Sequence, residues 1–84
     1  MEPDANKWDD EHILNAMRQT TRALQGTADS IVNITDKYLD KETSPSSETC
    51  RIITTEISII QRDLTRLFDL NHILHQRGAA KENA

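Results

Sequence analysis

Apolar residues return every three or four positions along two long stretches of this chain, and a polar run containing a proline separates them. In the first stretch one seam holds Met17, Leu24, Ile31 and Tyr38. A companion seam holds Ile13, Thr20, Thr27 and Ile34, with Leu14, Thr21, Ala28 and Thr35 beside it. Seven-residue recurrence on adjacent seams is the mark of an amphipathic helix whose apolar stripe faces a partner helix. Gly26 falls on the outward side, and the phase runs unchanged from Leu24 to Ile31, so a single helix is predicted over about 8–40. Asp4, or the Asp9/Asp10 pair, can cap it and complement its dipole.

Residues 41–46 form the internal turn, with Pro45 disfavouring helix at Ser44 and suited to opening a new helix capped by that serine. A connection so short folds the two helices back antiparallel. The second helix is predicted over about 47–77, with one seam reading Cys50, Ile57, Leu64, Asn71 and the other Ile53, Ile60, Leu67, Leu74. Gly78 stands where a left-handed terminator belongs. Residues 1–7 and 78–84 read as a disordered lead-in and tail. The expected fold is all-α: an antiparallel, coiled-coil-like two-helix hairpin that forms part of a larger helical bundle by oligomerisation.

The second helix carries more apolar residues than one neighbour can cover. Beyond its two seams, Ile52, Ile59, Leu70 and Ile73 form a further face, with Phe68 on the flank. Aligned apolar residues of this kind predict a second contact surface. Thr20, Thr27 and Asn71 occupy core-type positions, where polar groups weaken packing and can select register and partner. Met17, Leu24, Ile31, Tyr38, Ile53, Ile57, Ile60, Leu64, Leu67 and Leu74 are therefore expected to be interface residues, together with the further face. Trp8 is either a binding anchor or a cover for the open end of the bundle near Leu74.

Composition narrows the chemistry. An 84-residue chain with one cysteine, Cys50, has a small core and no internal disulfide, which fits a reducing compartment. Two glycines, two prolines and three aromatics are too few for a sheet protein. Net charge is −4, with acid gathered near the start, which argues against nucleic acid as a partner because phosphate binding needs a basic face. No apolar run approaches the roughly 20 residues of a membrane span, and the acidic start is unlike a secretory or mitochondrial signal. Cytoplasm or nucleus is the expected location.

No nucleophile arrangement, phosphate loop or metal spacing is present, so no catalysis, cofactor, metal or small-molecule substrate is expected. His12 would lie opposite His75 in an antiparallel hairpin, yet the heptad turns His12 and His72 outward as solvated side chains. Asn33-Ile34-Thr35 has the form of a glycosylation sequon but falls mid-helix. Ser44-Pro45 has the form of a proline-directed phosphorylation site, where a phosphate would meet a helix N-terminus. Lys81, Glu82 and Asn83 resemble the KEN box, a degradation signal read by the anaphase-promoting ubiquitin ligase.

In general make-up the chain is similar to the small subunits of eukaryotic coiled-coil complexes of the kinetochore, cytoskeletal or organelle-trafficking type. This is a likeness of size and pattern, and it transfers no residue roles. The function expected is a non-catalytic interaction subunit that assembles with other helical chains, as a hetero-oligomer ahead of a homodimer. The alternative is a small helical regulator (inhibitor, antitoxin or secretion chaperone) acting as a dimer on one target.

Overall fold

The computed structural model describes residues 4–82. A 3-10 turn at Ala5–Lys7 leads into α1, Asp10–Lys41, and after a short loop α2, Ser47–Glu82, returns alongside it. The molecule is an antiparallel helical hairpin measuring 59 × 21 × 19 Å.

Local chemistry explains each boundary. Asp9 caps α1, its carboxylate accepting the His12 N–H at 2.8 Å, with Asp10 and Glu11 adding negative charge at the positive end of the dipole. At the other end Glu42 adopts a left-handed conformation, φ 53°. Its N–H reaches the Leu39 carbonyl, and the Thr43 N–H reaches that of Tyr38. These two bonds satisfy carbonyls that the last turn of a helix leaves open.

The cap of α2 is Ser46 rather than Ser44. The Ser46 hydroxyl accepts the Thr49 N–H at 3.2 Å, and the Ser46 carbonyl accepts the Cys50 N–H at 3.0 Å. Pro45 therefore precedes the helix instead of opening it. Tyr38 Oη shares a 2.9 Å hydrogen bond with Thr49 Oγ1, tying the end of α1 to the start of α2.

Two expected disordered ends differ from expectation. Gly78 does not stop α2, which continues to Glu82, and Gly78 keeps a negative φ. Ala79, Ala80 and Lys81 are strong helix formers, and a single glycine costs only about 1 kcal/mol against them. At the start, residues 4–7 are folded, and Ala5 is almost wholly buried against Ile13, Leu70 and Ile73. Residues 1–3 of the expected lead-in and 83–84 of the expected tail lie outside the described residues.

The fully buried core sits at this end of the hairpin: Ala5, Ile13, Ala16, Leu70 and Ile73, with Trp8, Met17 and Leu74 packed against it. Here the N-terminal turn supplies a third layer over the helix pair. Towards the loop, where only two helices meet, Leu24, Ile31, Ile34, Ile53 and Ile60 are no more than half-buried.

Gly26 lies mid-α1 on the exposed side, and a Cβ placed on it meets nothing within 4 Å. Gly26→Ala should therefore stabilise the hairpin by about 1 kcal/mol, read as a rise of roughly 4–8 °C in the thermal midpoint. A fall in the midpoint would mean the glycine serves a bend or a contact that the hairpin does not display.

Candidate interaction surface

Four polar contacts set the register of the two helices. Arg77 donates to Asp10 Oδ1 at 2.7 Å and to the backbone carbonyls of Asn6 and Trp8 at 3.1 and 2.7 Å, strapping the N-terminal turn to the end of α2. Arg66 Nη1 donates to Thr20 Oγ1 at 3.0 Å, Ser30 donates to Glu56 Oε1 at 2.9 Å, and Tyr38 meets Thr49. The pairings follow one another along the hairpin without a slip.

That register assigns heptad positions. In α1 the a positions are Met17, Leu24, Ile31 and Tyr38 and the d positions are Ile13, Thr20, Thr27 and Ile34; all are buried or half-buried against α2. Both seams expected for α1 thus face its partner helix. In α2 the a positions are Ile53, Ile60, Leu67 and Leu74, again partly buried. The d positions, however, are Glu56, Asp63, Leu70 and Arg77.

The expected rotation of α2 is therefore corrected. Leu70 and Ile73, assigned to an outward face, are buried at 2% and 4% exposure, and Ile59 is half-buried. Ile52 belongs to the same arc and sits exposed near the loop. Conversely the seam expected to pack inward, Cys50, Ile57, Leu64 and Asn71, is exposed along its length. The polar residues proposed to choose a partner separate in the same way. Thr20 is buried and bonded to Arg66 within the chain, and Thr27 is half-buried with its hydroxyl on the Ala23 carbonyl. Only Asn71 lies on the exposed seam.

A surface emerges from this geometry that neither helix shows alone. Both helices are right-handed and run in opposite directions, so the e and b positions that follow a around each helix turn to the same broad side of the pair. On α1 these positions present Leu14, Val32 and Leu39; on α2 they present Ile57, Leu64 and Phe68. These six are all the exposed large hydrophobic residues of the described chain except Ile52, and Leu39 and Phe68 are 73% and 72% exposed. Phe68 is stacked parallel to His72 at 6.5 Å, without cover from α1.

The opposite side is richer in charge, although Ile52 is exposed on it. It holds an open groove of about 720 Å³ whose charged and polar lining, Arg62, Asp63, Thr65, Arg66 and Asp69, surrounds the edges of Ala5, Leu70 and Ile73. A smaller one of about 490 Å³ lies by Trp8, His12, Asn15 and Gln19, and Arg18 reaches its edge, donating to Asn15 Oδ1 at 2.9 Å. His12 packs on Trp8 at 4.2 Å, and His72 packs on Phe68. Among the described residues no three His, Cys, Asp or Glu side chains come together in a way that could hold a metal ion. None of their helices is long and apolar enough to cross a membrane. Trp8 joins Leu74 on the core cluster at the open end, the covering role considered for it.

Ser44 is exposed in the loop, two residues before the cap of α2. Lys81 and Glu82 lie in the last turn of α2 rather than in a free tail, and Asn83 is outside the described residues. Comparison with protein-family models, curated proteins and solved structures returns no match to this chain.

Proposed function

We propose that this chain is a non-catalytic interaction subunit that docks other helical chains against the apolar side of its hairpin. The observation that carries this reading is the gathering of Leu14, Val32, Leu39, Ile57, Leu64 and Phe68 on one side, each of them exposed. Apolar patches beyond roughly 300–600 Å² are uncommon on monomers and mark contact surfaces. The thin core near the loop supports the same role, because a chain docked on this side would bury the half-exposed seam beneath it. The likeness in make-up to small subunits of kinetochore, cytoskeletal and organelle-trafficking complexes supports a place in such an assembly, in cytoplasm or nucleus.

The test is purification of the tagged chain from the cells that make it, with the intact complex weighed by native mass spectrometry. Leu64→Glu/Phe68→Glu should lose its stoichiometric companions while circular dichroism shows unchanged helicity. Thr65→Glu, on the polar side, should keep them. Recovery of the same complex with the double variant would defeat the reading.

A further inference from the structure

We infer that the chain covering this apolar side is a second copy of the same protein, laid face to face to make a four-helix dimer. The inference rests on the interaction role just proposed and adds the identity of the partner.

Width is the first argument. Exposed large apolar residues recur among the e and b positions of both helices, outside the a seams and interspersed with uncharged polar ones, so the side is two helices across, about 20 Å by the molecule's short dimensions. One incoming helix, about 10–12 Å in diameter, would settle over the a and e positions along the middle. It would leave Val32 and Leu39 wet at one margin and Phe68 at the other. A second hairpin covers both margins.

Charge is the second. From Leu14 to Leu39 and from Cys50 to His75, the a, e and b positions of both helices include a single formal charge, Arg18. The rest are apolar or are Thr, Gln, Asn, Cys, Ala and His. Yet 29% of the chain is charged and its net charge is −4. The acid is thus excluded from this side and collected elsewhere, which lets two copies meet without bringing carboxylates together. A partner with a charged stripe would have to strip water from those charges with no counter-charge to receive them beyond Arg18. A neutral face is complementary to a neutral face, and self-association of one patch is the commonest form of oligomer.

Area is the third. A side 59 Å long and about 20 Å across presents on the order of 1,000 Å², against about 800 Å² per partner in an interface of standard size. The surface is large enough to hold a stable dimer of a chain this small.

The experiment is the mass of the purified chain in solution by light scattering and sedimentation equilibrium, from low to high micromolar concentration. A dimer, twice the 9.6 kDa chain mass, is expected. Leu64→Glu/Phe68→Glu should run at single-chain mass throughout with its helical circular dichroism retained, and Thr65→Glu should remain dimeric. Phe68→Arg alone, a change at a side chain already 72% exposed, serves if the double variant loses helicity, and should weaken the dimer. Wild-type chain at single-chain mass at every concentration overturns the second copy and leaves the docking role to a chain of different sequence. A dimer that survives both outer-side variants overturns the choice of surface, and the proposed function with it.

Discussion

Leu70→Asp is expected to abolish the helical fold at room temperature, whereas Leu64→Asp, six residues earlier on the same helix, should leave the hairpin helical. Leu70 is 2% exposed and packs among Ala5, Ile13 and Ile73, in the one region where three layers of chain meet. Truncating a leucine so placed costs roughly 2–5 kcal/mol before any charge is introduced. A carboxylate in the same space adds several kcal/mol of desolvation unless it is neutralised. A single core in a chain of this size supplies about 3–5 kcal/mol of net stability, so the substitution exceeds the margin. Leu64 is 52% exposed and removes little from the hairpin when changed. Far-ultraviolet circular dichroism with a thermal scan checks both. An unchanged melting midpoint in Leu70→Asp would show that the buried end is not what holds the helices together.

Glu56→Leu is expected to act in the other direction, stabilising the hairpin by about 1–3 kcal/mol. Glu56 stands at a d position of α2, turned towards α1. Ser30 donates to its Oε1, while its buried Oε2 receives no hydrogen bond from the described residues. A carboxylate held between two helices with one oxygen unsatisfied has lost hydration that one serine hydroxyl does not replace. Leucine has a similar reach, and Ile53, Ile59 and Ile60 lie near it on the same helix. The freed Ser30 hydroxyl can turn to the carbonyl one turn back, as Thr20, Thr21 and Thr27 already do. The measurement is the thermal or urea midpoint, with Glu56→Gln as the companion that keeps an acceptor for Ser30. A lower midpoint for Glu56→Leu would mean that the Ser30 contact contributes more than the buried oxygen costs.

The same residue explains where the pattern of the chain misleads. In α1 every seam position, from Ile13 to Tyr38, is apolar or a small threonine, and the structure turns both seams to α2. In α2 the stripes Cys50/Ile57/Leu64/Asn71 and Ile53/Ile60/Leu67/Leu74 are adjacent and free of charge, and periodicity alone selects that pair. The stripe that completes the packing is Glu56, Asp63, Leu70 and Arg77, three of whose members carry charge. Two of those charges find partners across the hairpin: Ser30 for Glu56, and Asp10 with the Asn6 and Trp8 carbonyls for Arg77. Those partners are remote in the chain, so no local window reveals that a charged stripe can face inward. The candidate surface inherits the difference. Ile57, Leu64 and Phe68 are visible as apolar from the outset, yet their joining with Leu14, Val32 and Leu39 on one side depends on how α2 is rotated.

The end of the chain shows the same division. Asp9 before an acidic first turn, and the polar run around Pro45, are local signals, and they place the helix starts to within two residues. Gly78 is a local signal too, but a weak one. Burial of Ala5 and the strap formed by Arg77 require the two ends of the chain to be neighbours.

By itself, then, the amino-acid order determined that there are two long helices, that a short turn reverses them, and that α2 has apolar surface in excess. Those outcomes follow from backbone propensity and seven-residue spacing, which act within a few turns of helix. The tertiary structure alone decided which arc of α2 faces α1, that the leading turn closes the open end, and that the exposed apolar residues of both helices, Ile52 apart, share one side. Rotation about a helix axis costs nothing locally; it is chosen by contacts between side chains far apart in the chain.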